Sequence, residues 1–177
     1  SRKWTSGSEA HGWYNRPITD AMLASAAYVL KDDIEELRSS IDGLPDEALN
    51  WKPAGEDTNS VAVLVTHVLH STRSLISTAV GAPLPDRDRD SEFRVAAERT
   101  SDLLGLLYDF GAQILALVND TGDIDWATNR KTHMRPSPDL PDYVPASFAL
   151  LHAIEHLGQH VAHVSLTRQL WETRNAK

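Results

Sequence analysis

The 177-residue chain predicts an all-α fold, a four-helix bundle with a long crossover between its third and fourth helices. Three observations predict it. Apolar residues recur at alternating steps of three and four over several separate segments, which is the period of a helix face and not of a strand. Gly43, Gly81 and Gly122 stand where those segments should stop. Between Asp123 and Asp142 the period disappears and Pro136, Pro138 and Pro141 enter, so this stretch reads as a connection.

Residues 1–16 are polar and read as an N-terminal arm, with Trp13 and Tyr14 able to dock on the body; residues 17–177 read as one domain. Thr19 or Asp20 can cap a first helix whose face is Leu23, Ala27, Leu30, Ile34, Leu37 and Ile41. Gly43 ends it. In the connector that follows, Leu44, Leu49 and Trp51 are positioned to cover one end of the core. Asn59 or Ser60 caps a second helix that presents Val61, Leu64, Val65, Val68, Leu75 and Ile76 and runs to Gly81. His67 lies at the edge of that face, while His70 is turned toward Arg73 and reads as a surface residue. The linker APLPDRDRD alternates charges and reads as solvated, without a catalytic role. A third helix is expected from Asp90 or Ser91 through Asp120, with Phe93, Ala96, Thr100, Leu103, Leu107, Phe110, Ile114 and Leu117 on its seam. The crossover after it has room for a short hairpin around Trp126 to Met134. The fourth helix is expected from about Pro145 to about Trp171, since Pro suits a first helical turn and none follows.

Composition narrows the function. With 25 acidic against 17 basic residues, a net charge of -8 and no basic run, the chain lacks a nucleic-acid footprint. There is no Cys, which removes disulfides, thiolate zinc sites and a cysteine nucleophile. No stretch resembles a signal peptide or approaches 18 consecutive apolar residues, so the expectation is a cytoplasmic protein with no membrane partner; the partner expected at the site described next is a small-molecule substrate.

The chemistry concentrates on the last helix. From Tyr143 to Thr167 there is no Lys or Arg and one carboxylate, Glu155, yet four histidines, His152, His156, His160 and His163. On a helix these fall with Gln159 in a sector of about 100°. Leu150, Ile154, Leu157, Val161 and Val164 take the opposite side. Phe148, Leu166 and Leu170 flank the stripe at its ends, which predicts that it faces an internal cavity. His152 and His156, four apart, can hold one metal ion, and His67 is the best-placed third ligand from a facing helix. His156 and His160 have the same spacing, so geometry alone leaves the pair open. Three neutral imidazoles leave a position for water or substrate, suited to Lewis-acid work or to making a nucleophile. Glu155 and His160 are the catalytic candidates, the first as proton acceptor or ligand orienter against the plainer reading of a surface carboxylate. His163 reads as a pocket or packing residue, and His11, His70 and His133 as surface residues. Because ligation needs neutral rings, metal should be released below about pH 6.

Two other motifs do not hold. His152 to His156 spells H-x-x-E-H, but the downstream carboxylate ligand of inverted zinc peptidases is missing; Glu172 is the sole acidic residue after His156. The paired Glu-x-x-His of di-iron bundles is absent.

Three pieces together resemble the DinB/YfiT-like superfamily of metal-binding four-helix bundles: W51-K-P followed by N59-S-V-A-V-L-V-T-H67-V, then D86-R-D-R-D-S-E-F93, then H152-A-I-E-H-L-G-Q159. Their order and the long third-to-fourth crossover match over about residues 18–171. The resemblance implies a divalent ion, zinc or nickel, held by His67, His152 and His156, and a homodimer. It implies either transfer of a low-molecular-weight thiol, the cofactor being exogenous, or a hydrolase using metal-activated water. A noncatalytic metal- or ligand-binding module acting in stress response is the alternative. His160 and His163, beyond the Gly-Gln pair, depart from the family pattern.

Overall fold

The computed structural model describes residues 18–132 and 142–174. The N-terminal arm with His11, Trp13 and Tyr14, and His133 in the crossover, lie outside the described residues.

Four long helices carry the chain: α1 (Ala21–Ile41), α2 (Val61–Val80), α4 (Thr100–Asn119) and α5 (Ala146–Thr173), with a single turn, α3 (Arg89–Glu92), between the second and third of them. The protein is all-α apart from two three-residue strands, β1 (Asn129–Lys131) and β2 (Tyr143–Pro145). α1 packs on α4 and α5, and α2 packs on the same two helices from the other side. α2 is the central element. Nearly every residue from Val61 to Ala79 is buried, His70 and Arg73 being the exceptions.

Capping chemistry sets the helix starts. Asp20 accepts from the amides of Met22 and Leu23 and so satisfies two free donors at the start of α1. Its other oxygen takes the Trp126 indole N–H at 2.9 Å and the Ile124 amide at 3.3 Å, tying the crossover to the same point. Ser60 caps α2, and Gly81, at φ 75°, closes it in the left-handed conformation that glycine tolerates. Leu44 and Leu49 are buried, and Trp51 meets Trp171 edge to face at 5.6 Å, closing one end of the core as expected.

The expected third helix is interrupted. Asp88 caps only the turn Arg89–Glu92, and a non-helical stretch separates it from α4, so Phe93 and Ala96 do not lie on a helical seam. Long-range hydrogen bonds replace the helical ones. Asn50 brackets the backbone of Ala97, accepting from its N–H at 3.0 Å and donating to its carbonyl at 2.7 Å. Asp46 then accepts from the Thr100 amide at 2.8 Å, restarting the helix from outside it. The remaining seam of Leu103, Leu107, Phe110 and Ile114 is buried as expected, while Val118 takes the buried place expected of Leu117. α4 is also the one helix among the described residues long and apolar enough to cross a membrane by length and composition, with a third of it buried.

The crossover differs from expectation as well. No local hairpin forms at Trp126; β1 pairs antiparallel with β2 instead, Arg130 opposite Val144, so the pairing reaches across residues 132–142. The amides of Ala146 and Ser147, the first in α5, are received by the carbonyls of Thr128 and Trp126. Pro145 stands immediately before the helix, where its missing N–H costs nothing.

Candidate metal centre

α5 places its histidines by simple rotation of about 100° per residue, but the stripe divides between two environments. His156 and His160 turn toward α2, whereas His163 is exposed and His152, half-buried, has its ring 5.7 Å from that of His156. The expectation that Phe148, Leu166 and Leu170 wall an internal cavity is overturned, since all three are exposed. The packing side expected of α5 is the one buried, with Leu150, Leu157, Val161 and Val164 in the core.

Across from α5, His67 is buried in the middle of α2. Its ring centroid lies 5.3 Å from those of both His156 and His160, which are 4.6 Å from each other. One nitrogen from each of His67, His156 and His160 falls within 4.8 Å of the others, so the three can hold one metal ion. The trio therefore shares His67 and His156 with the set expected from sequence and has His160 as its third member. His152 sits one turn away. Its Nδ1 is 3.2 Å from Glu155 and its ring stacks on Phe148 at 5.7 Å. Glu155 is exposed, and its second oxygen accepts from Gln159 at 2.6 Å, so it bridges two side chains on the helix surface. His163 is also exposed, its ring 5.5 Å from that of His160.

Two properties suit the trio to a divalent cation. Nδ1 of His156 and Nδ1 of His160 are buried without a hydrogen-bond partner, a costly arrangement for polar atoms unless something else engages those rings. Desolvation, reinforced by the neighbouring histidines, lowers the pKa of His156 to about 3 and that of His160 to about 4. Both rings are thus neutral at physiological pH, as ligands must be.

The linker read as solvated supplies the third wall. Glu92, 3 % exposed, accepts from Arg87 at 2.6 and 2.8 Å and lies 2.8 Å from Nδ1 of His67. Phe93 leans on the His67 ring at 4.6 Å. Sequence reasoning missed Glu92 and Arg87 because D86-R-D-R-D-S-E alternates sign like a surface loop, and only tertiary placement distinguishes the buried pair. His70, expected at the surface, is half-buried against Phe110 at 4.5 Å, and desolvation lowers its pKa. Two cavities, about 340 Å³ beside Ile34, Leu107 and Gly111 and about 500 Å³ beside Arg73, Gln113 and Asp120, are lined by none of the trio.

Four long helices and one convergent histidine group define a helical protein with a possible three-histidine metal site. The chain belongs to the DinB superfamily, whose family model matches residues 30–164. No curated protein matches it.

Proposed function

We propose that this chain is a metal-dependent enzyme of the DinB type, a four-helix bundle with a long third-to-fourth crossover, in which His67, His156 and His160 hold a divalent ion, zinc or nickel. The observation that carries this reading is the convergence of one nitrogen from each of His67, His156 and His160 to within 4.8 Å of one another, two of these rings, His156 and His160, also having a buried Nδ1 without a partner. When bound, such an ion supplies Lewis-acid activation of a thiol sulfur or of a water. The chain's own contribution is to bury His67 on α2 and to keep His156 and His160 neutral through desolvation. His152, Glu155 and His163, on the same helix as His156 and His160, stand where an incoming small molecule would meet them. The reading extends to a low-molecular-weight thiol as co-substrate and to a cytoplasmic homodimer.

The test is metal content of untagged protein, followed by thiol consumption with a panel of electrophiles. One ion per chain is expected, lost in His67→Ala, His156→Ala and His160→Ala and retained in His152→Ala. Occupancy unchanged in His160→Ala, with loss in His152→Ala, would move the site one turn along α5. Stoichiometric metal without metal-dependent turnover of any electrophile would support the noncatalytic binding module instead.

A further inference from the structure

We propose that Glu92, clamped by Arg87, is a positioning residue that fixes which nitrogen His67 presents to the trio. The proposal rests on the metal-centre reading above. It starts from a buried charge. Glu92 is nearly inaccessible, and a carboxylate so placed needs all its acceptor sites used. Arg87, itself largely buried, donates Nε–H to Oε1 at 2.6 Å and a terminal N–H to Oε2 at 2.8 Å, the two-pronged geometry that best stabilises an ionised carboxylate.

An ionised carboxylate only accepts hydrogen bonds. Nδ1 of His67, 2.8 Å from Oε2, must therefore carry a proton, so Nε2 is the ring nitrogen left available to an ion. Phe93, the residue after Glu92, packs on the ring at 4.6 Å, and the Arg89 guanidinium covers Phe93 at 4.7 Å. The one-turn helix α3 thus delivers both the hydrogen-bond acceptor and the ring contact. His156 and His160 have no such brace at Nδ1, so His67 is the one ring of the three with a defined tautomer before any ion arrives.

The experiment uses full-length protein, metal-free and ¹⁵N-labelled, with the His67 tautomer read from long-range ¹H–¹⁵N spectra and zinc affinity from chelator competition. Wild type is expected to show the Nδ1–H tautomer. Glu92→Ala is expected to show a mixture of tautomers and zinc affinity lower by about 10- to 100-fold. Glu92→Gln, which keeps the shape and one acceptor oxygen, should fall between them. If Glu92→Ala does not fold, Glu92→Gln combined with Arg87→Met carries the test with the same expected direction. An unchanged tautomer, whether or not stability falls, overturns the proposal, as does wild-type zinc affinity in both Glu92 variants. If wild type binds no zinc, the metal reading fails by itself, and the tautomer still decides whether Glu92 orients His67.

Discussion

Histidine protonation is where the chemistry of single residues becomes measurable. His156 and His160 have pKa values lowered to about 3 and about 4 by burial, against about 6.5 in an unfolded chain. For a base with a depressed folded pKa, the unfolded state takes up protons first as pH falls. Stability of the metal-free protein is therefore full above about pH 6.5 and declines as pH drops toward 4. Asp33 on α1 opposes this. Desolvation, with Glu36 and Asp32 nearby, raises its pKa to about 6, so the folded state gains from its protonation over the same window. Urea titrations at pH 7 and pH 5 should show a net loss of roughly 1–3 kcal/mol, and Asp33→Asn should make that loss larger while stabilising the protein at pH 7. A flat profile in both proteins would mean that the two imidazoles are better hydrated than their burial indicates. The same lowered values shift metal release to more acidic pH than the 6 expected from ordinary histidines.

At the scale of elements, most of what positions the histidines is local and was legible. Asp20, Ser60, Gly43 and Gly81 sit at helix ends where capping chemistry requires them, and the three-four spacing located the faces of α1, α2 and most of α4. What escaped were several features decided by partners distant in sequence, although the meeting of His67 with α5 was anticipated. Asn50 and Asp46 break the third helix from some fifty residues away, and β1 finds its partner beyond the crossover instead of next to itself. No window of sequence contains those terms. The choice among His152, His156 and His160 is of the same kind, because equal spacing on one helix is resolved only by where α2 lies. Asp20 shows how far one cap can reach, serving two amides of α1 together with Ile124 and Trp126. Asp20→Ala should cost about 1–2 kcal/mol in chemical denaturation, more than an average surface substitution. A change within about 0.5 kcal/mol would show that the crossover holds without it.

For the whole molecule the question is whether the fold depends on an ion. The core runs through all four long helices, with Leu23, Leu30, Leu37, Leu69, Ile76, Ile114, Leu150 and Leu157 fully buried in an apolar cluster. A chelator should therefore leave the far-ultraviolet circular dichroism intact. The thermal midpoint should fall only by the lost binding energy, about 2–4 °C per kcal/mol for a domain of this size. Cooperative unfolding on chelation at 25 °C would instead make the ion a structural member of the core. The division between scaffold and site is consistent with how each was readable. The scaffold follows from repeated apolar spacing, and the site from four polar rings whose surroundings that spacing does not specify.

The anchoring of α5 by Thr128 and Trp126 makes the beginning of that helix a datum from which distance along it is counted. From Ala146, His156 stands ten residues on and His160 fourteen, so their height and bearing are fixed by arithmetic. One residue gained or lost in that interval would swing both rings by about 100° and slide them about 1.5 Å along the axis, away from His67. The length of this interval is therefore locked independently of the residues that fill it.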